Sequence, residues 1–194
     1  MDTETEIDGG GRREPLTPAR ITEAAIAILD ADGLAGLTMR RLGEALSVEA
    51  MSLYRYFSNK NELLAAVREA LFAEIAETPD GRGDWKERLR TVMRSTYHLC
   101  RRHPSFLIAL FDIPSTPNST LRGVRDLETL RAAGFDDKDA RAALTTLVVH
   151  VVGSLHQSRT PVNNVIVGAR RREAAFEFGL ETILEGLDSR LRRG

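Results

Sequence analysis

A chain of 194 residues with 27 Lys and Arg against 28 Asp and Glu carries a formal charge of −1. At 42% hydrophobic and 28% charged it has the make-up of an ordinary soluble globular protein, and its one cysteine, Cys100, excludes an internal disulfide and a four-cysteine zinc site. No apolar run approaches the roughly 18 residues that cross a bilayer, and Asp2, Glu4, Glu6 and Asp8 are the opposite of a secretory leader's basic start, so a cytoplasmic protein with no membrane partner is expected.

Residues 1–15 combine acids, Gly9 to Gly11 and the pair Arg12-Arg13 with almost no apolar surface, which predicts a disordered arm. Helical spacing begins after Thr17-Pro18, an N-cap followed by proline at the first helical position. Ile21, Ala24, Ala25, Ile28 and Leu29 form one apolar stripe that ends at Asp32-Gly33. Thr38 caps a short helix through Leu46, Ser47-Val48 breaks it, and a second short helix is expected over Glu49 to Phe57 with Leu53 and Phe57 facing inward. Asn59 and Glu62 have the spacing of a capping box and start a fourth helix, with Leu63, Leu64, Val67, Leu71 and Ile75 inward.

A polar loop over Thr78 to Asp84 then leads to a long helix marked by Trp85, Leu89, Val92, Met93, Thr96 and Leu99 and stopped at His103-Pro104. Ser105 to Asp112 reads as a short apolar helix, and the two prolines of Ile113 to Ser119 read as a loop. Leu121, Val124, Leu127 and Leu130 mark a helix ending at Gly134. Asp136 to about Gln157 contains a β-branched run, but the stripe Leu144, Leu147, Val148, Val151, Val152 and Leu155 decides for helix. A loop from Arg159 to Gly168 and a helix from Arg170 to Arg193 complete the chain. The expected fold is all-α, divided into an arm (1–15), a three-helix unit (16–63) and a larger helical domain (64–194).

Residues 38–57 thus make a helix, a short break and a second short helix, the helix-turn-helix layout whose second helix enters the DNA major groove. Helix pairs of this size also occur at ordinary bundle corners, so the exposed chemistry decides. Arg40 and Arg41 stand in the first turn of a helix, where cations oppose the macrodipole and need another purpose. Ser52, Tyr54 and Arg55 project away from Leu53 and Phe57, and Lys60 opens the next helix, where backbone amides and an amine together would hold a phosphate. Arg41 has an alternative reading as the partner of an acid one turn away, Tyr54 as a half-buried packing residue, and Arg12-Arg13 as a solvated pair or an arm reaching a minor groove.

The segment LTMRRLGEALSVEAMSLYRYFSNKNELL, Leu37 to Leu64, resembles the DNA-binding region of the TetR family of bacterial transcriptional regulators, with Val48-Glu49, Leu53-Tyr54 and Ser58-Asn59-Lys60 similar to its tetracycline-repressor branch. The resemblance covers about residues 17–64. It implies a dimeric repressor that binds a near-palindromic operator and leaves it when a small molecule binds. By position it implies that Arg40 reads a base, that Met39, Ser52, Tyr54 and Lys60 contact phosphates, and that Ala50, Met51 and Arg55 face base edges, with Arg41 in the same surface. Two residues depart from the pattern. Gly43 stands where alanine is common, at a cost of up to about 1 kcal/mol in helix propensity. Ser47 stands where the turn usually has glycine.

Two-fold operators call for dimers. The last helix offers the stripe Phe176, Leu180, Ile183, Leu184, Leu187 and Leu191, which with Leu144, Leu147, Val148, Val151, Val152 and Leu155 would form a four-helix bundle between subunits, unless both stripes pack within one chain. The helices over 84–157 would line an effector pocket, with Trp85, Met93, Tyr97, Phe106, Leu110 and Phe111 as candidate walls. Phe135 is a further wall, and His98, Arg101, His103, His150 and His156 are the candidate polar anchors. No metal or other cofactor is expected, since His98–His103 and His150–His156 lack the i, i+4 spacing of a helical ligand pair.

An all-α enzyme is the weaker alternative: no P-loop, dinucleotide fingerprint or paired Glu-x-x-His motif is present, and Cys100 beside Arg101-Arg102 is either an activated thiol or an inert core residue. A helical binding protein without DNA is the other. Residues 1–65 hold seven basic and eleven acidic side chains, so the proposed DNA-binding unit is the more acidic part. Its cations gather at Arg40, Arg41, Arg55 and Lys60, which predicts weak non-specific affinity and reliance on a local site.

Overall fold

The computed structural model describes residues 15–76, 84–156 and 168–193; the expected arm, Arg12-Arg13 and the loop following Gln157 lie outside them. The described residues form helices and turns with no strand: α1 (Pro18–Gly36), α2 (Met39–Leu46), α3 (Ala50–Leu53), α4 (Lys60–Ala73), α5 (Trp85–Arg102), α6 (Ser105–Phe111), α7 (Pro117–Ala132), α8 (Asp137–His156) and α9 (Ala169–Leu191). The all-α architecture is as the periodicity requires.

The caps explain most of the boundaries. Thr17 accepts from Arg20 N at 3.2 Å, Thr38 from Arg41 N at 3.2 Å and Asn59 from Glu62 N at 3.0 Å, each satisfying an amide that has no partner in the first turn. The Glu62 carboxylate reaches one residue further back than a standard capping box, to Ser58 N at 2.6 Å. Gly33 takes φ +68°, breaking the regular helix where the Asp32-Gly33 signal placed its end. Two boundaries differ from expectation. α3 is a single turn, because Leu53 O accepts from both Tyr56 N (2.9 Å) and Phe57 N (3.0 Å) and the chain tightens there. α7 begins at Pro117, within the stretch read as loop, because Thr116 and Ser119 cap it reciprocally and Pro117 occupies N1.

Ile21, Ala25, Leu42, Leu53, Leu63 and Val67 are completely buried and join α1 to α4 into one small core. The expected domain boundary at 63/64 falls inside α4, which packs on α1 near its start and on α6 and α7 further along. A second link is polar. Asp30 near the end of α1 accepts from Ser105 N (2.8 Å) at the start of α6, where an acid also complements the helix dipole, and its other oxygen lies 2.8 Å from His103 Nδ1. In the larger unit α9 is clamped to α5 by Arg90, which grips both oxygens of Glu181 at 2.7 and 2.8 Å, and by Arg94 on Glu177 at 2.6 Å.

The two stripes expected between subunits turn inward. Leu147, Val151, Phe176, Leu180 and Leu184 are at most 1% exposed within a single chain, and Leu144, Leu155, Ile183, Leu187 and Leu191 pack against the same core. The five fully buried side chains have no surface left for a partner. The opposite faces of α8 and α9 are exposed and carry Thr145, Thr146, Val149 and Gly153 on one and Ala175, Phe178, Thr182 and Gly186 on the other; Phe178 is 76% and Val149 62% exposed.

Candidate functional site

The first candidate surface is built on α2 and α3. Leu53 and Phe57 anchor α3 in the core, which forces the rest of the turn outward. Met51 is 72% and Tyr54 44% exposed, so Tyr54 is a surface residue rather than core. Arg55 is exposed beside them, with no partner among the described residues, and Ala50 and Ser52 are half-buried on its flank.

The turn holding this helix is closely packed. Ser47 adopts a left-handed conformation at φ 55°, ψ 42°, the strained geometry for a residue with a side chain, and Val48 N donates to Gly43 O at 2.9 Å. A Cβ at Gly43 would lie 2.8 Å from Val48 O and 3.2 Å from Ala50 N. Gly43 is thus no mere loss of helix propensity: the start of α3 sits so close to α2 that only hydrogen fits. Tyr56 adds a constraint that its sequence position did not announce, donating its hydroxyl to Leu16 O at 2.8 Å and fixing the chain entering α1 against the turn.

The cations divide. Arg40 is well exposed and pairs with Glu44 at 2.6 Å, one turn along the same helix. Arg41 does pair with an acid, but with Asp32 at the end of α1 rather than with one a turn away. Lys60, expected at a phosphate, is half-buried and donates to Leu34 O at 3.3 Å, so its amine supplies a missing partner to the carbonyl end of α1. Met39 is likewise half-buried and packed on the core. Of the nine side chains the motif pointed to, α3 and the turn after it gather Ala50, Met51, Ser52, Tyr54 and Arg55 with Arg40 nearby, while Met39, Arg41 and Lys60 each have a contact within the chain.

A second site lies in the larger unit, a cavity of about 170 Å³ lined by residues of α4 through α8. Met93, Phe106 and Leu110 line it as expected. The other candidate walls do not. Trp85 is taken by Phe135, edge to face at 5.4 Å, and Tyr97 by Phe176, stacked at 3.9 Å. His150 stacks on the same Phe176, with Nε2 2.9 Å from its carbonyl oxygen. His98 is exposed and Phe111 is 63% exposed. Their places in the wall go to Phe72 of α4, to Ile75 just after it, and to Leu144, Val148, Val151 and Val152 of α8, the last four having been assigned to a subunit contact. Cys100 also reaches the cavity, and burial pushes its thiol up to about 12, which makes it inert rather than nucleophilic.

Three charged residues stand in this apolar wall: Arg68, Arg122 and Asp126. Arg68, 4% exposed, donates from Nε to Ser119 Oγ at 2.9 Å and from Nη1 to Ile113 O at 2.8 Å and to Ala109 O, and its guanidinium lies 4.7 Å from the centre of the Phe72 ring. These bonds tie α4 to the end of α6. Asp126, 7% exposed, is pushed up to about 6 by burial, with Arg88 and Arg122 pulling the other way.

Comparison with known proteins identifies the two units. Residues 21–67 match the model of bacterial regulatory proteins of the tetR family, and residues 78–170 that of the tetracyclin repressor-like C-terminal domain. The HTH-type transcriptional repressor DrrR1 of Streptomyces coeruleorubidus is 36% identical over 74% of this chain, which spans 54% of that longer protein. The class A tetracycline repressor from transposon 1721 of Escherichia coli is 30% identical, with 90% of this chain and 92% of the relative covered. The crystal structure of BioQ with its double-stranded DNA operator superposes with a TM-score of 0.62 at 28% identity, over 90% of this chain and 99% of BioQ. No described helix is long and apolar enough to cross a membrane. With a helix-turn-helix that exposes Met51, Tyr54 and Arg55, a helical domain with a cavity, and family matches over residues 21–67 and 78–170, the chain belongs to the TetR family of DNA-binding transcriptional regulators.

Proposed function

We propose that this protein is a cytoplasmic homodimeric repressor that holds a near-palindromic operator until a small molecule enters the α4–α8 cavity. The observation that carries this is the double role of α4. Its first turn supports the helix-turn-helix through Asn59 and Lys60, and two turns later Arg68 and Phe72 form the cavity wall. A molecule that favours a displaced α4 would favour, by the same free energy, a head that no longer matches the operator.

On the DNA side, Met51 and Ala50 offer apolar contact to thymine methyl groups, Arg55 and Arg40 offer forks for guanine edges, and Tyr54 and Ser52 offer hydroxyls for phosphates. Asp32 and Leu34 O already engage Arg41 and Lys60, so we assign Arg41 to holding α2, and Lys60 to holding α4, against the end of α1. For the dimer, the exposed faces of α8 and α9 around Val149 and Phe178 suit a two-fold four-helix contact, and their threonines, alanines and glycines allow close helix approach. The test is enrichment of bound sequences from a random DNA pool. A two-fold site with half-sites about one helical turn apart is expected, absent for Tyr54→Ala; no enrichment above background would refute the function.

A further inference from the structure

Arg68 presents a charge problem that the fold leaves open. It is 4% exposed, and the groups that receive its hydrogen bonds, Ser119 Oγ and the carbonyls of Ala109 and Ile113, are all neutral. None of the described salt bridges includes it, although Arg90, Arg94 and Arg101 all find carboxylates. Taking a cation out of water without a counter-charge is costly, and burial accordingly pulls the Arg68 guanidinium below its ordinary range, with Glu69 the acid that opposes this. Phe72 lies under the guanidinium, and Phe106 lies 5.1 Å from Phe72 at a tilt of 44°, so two aromatic faces meet beside the charge.

The cavity into which these groups face holds about 170 Å³. An apolar cavity of roughly 150 Å³ takes up benzene, so one aromatic ring with a short substituent is the size that fits. We infer that the effector is a small aromatic carboxylate, its ring between the apolar walls and Phe72 and Phe106, its carboxylate on Nη2 of Arg68, the guanidinium nitrogen that makes none of these bonds. A guanidinium N–H donates a charge-assisted hydrogen bond to a carboxylate. Arg122 in the same wall adds to the positive field, and Asp126 subtracts from it. This inference rests on the reading of the cavity as the effector site and specifies its chemistry.

The test uses the full-length protein and three probes of one shape: 4-ethylbenzoate, 4-ethylbenzamide and 4-ethylbenzylamine, titrated calorimetrically at pH 7.5. The acid is expected to bind at least tenfold more tightly than the amide, with the amine weakest. Arg68→Gln should bring acid and amide within twofold of each other. Because Arg68 also ties α4 to α6, Asp126→Asn provides an independent arm: removing the competing negative charge should tighten the acid several-fold and leave the amide unchanged. Equal binding of acid and amide by the unaltered protein, or equal tightening of both by Asp126→Asn, overturns the carboxylate assignment while leaving the cavity a ligand site. Failure of all three compounds to bind a protein that still holds its operator overturns the effector-site reading as well.

Discussion

Replacing Asp126 with Asn should make the protein more stable, and by an amount that depends on pH. The carboxyl is 7% exposed and burial raises it from 3.8 to about 6, against the pull of Arg88 and Arg122. The folded chain therefore resists ionisation that the unfolded chain accepts freely. Below about pH 4 both states hold the proton and the site costs nothing. As pH rises from about 4 to about 6 the unfolded state ionises first, and folding loses stability until the folded carboxyl also ionises. A shift of about two units at roughly 1.4 kcal/mol each sets the loss at about 3 kcal/mol above pH 6. Asn keeps the shape of the neutral form and escapes this. Urea unfolding of both proteins at pH 4 and 7.5, at one fixed protein concentration because a dimer's stability depends on it, should show a gain of about 2–3 kcal/mol at pH 7.5 that shrinks to a few tenths at pH 4. A gain independent of pH, or a loss at pH 7.5, would refute the argument.

Gly43→Ala should destabilise the head by about 1–3 kcal/mol despite the better helix propensity of alanine, because the new methyl must displace Val48 O; Ser47→Gly should instead stabilise it by about 1 kcal/mol by relieving the left-handed backbone, both read by thermal unfolding. Arg55→Ala should weaken operator binding by about 1–3 kcal/mol in a gel shift, whereas Lys60→Met should leave the salt dependence of binding unchanged and lower stability by about 1 kcal/mol, since its amine serves Leu34 O. A salt slope reduced by about one unit in Lys60→Met would return that lysine to the phosphate backbone. Phe178→Asp should give a monomer by light scattering, and an intact dimer would move the interface elsewhere.

Local rules made the head of this protein legible from its residues. Thr17-Pro18, Thr38 and Asn59 are caps whose geometry depends only on neighbours, and the inward positions of α1 and α4 repeat with helical spacing. The same reasoning applies to Thr116-Pro117, which repeats the Thr17-Pro18 signal; the second proline at Pro114 hid it. Longer-range matters were not legible. Periodicity reports that a helix face is buried but not what buries it, so the stripe of Leu147, Val151, Leu180 and Leu184 was assigned to a partner chain when its own chain covers it. The β-branched run of α8 has its explanation in the same fact: this helix is enclosed on one face by the core and presents Thr145, Thr146 and Val149 on the other. Aromatic residues suggested the pocket, yet Trp85 and Tyr97 pair with Phe135 and Phe176, contacts made across distant parts of the chain. Lys60 and Arg41 carry the right charge for DNA, and their contacts with Leu34 O and Asp32 depend on the folded positions of those partners and were not legible in the sequence.

The attachment of α1 to α6 through Asp30 has a mechanical consequence. The head is fastened to the larger unit at two separate points, by the shaft of α4 and by the Asp30 bridge to Ser105 and His103. A body pinned once can swivel freely, but a body pinned twice can only tilt about the line joining its pins. Arg68 and Lys60 are eight residues apart on the α4 shaft, about 12 Å along its axis, and α3 lies beyond its N-terminal end. On the proposed function, a small displacement at the cavity would reach α3 as a directed sweep with leverage. Cutting the second pin with Asp30→Ala would leave the head able to wander, so that operator affinity falls and the response to an effector is blunted even with every cavity residue in place.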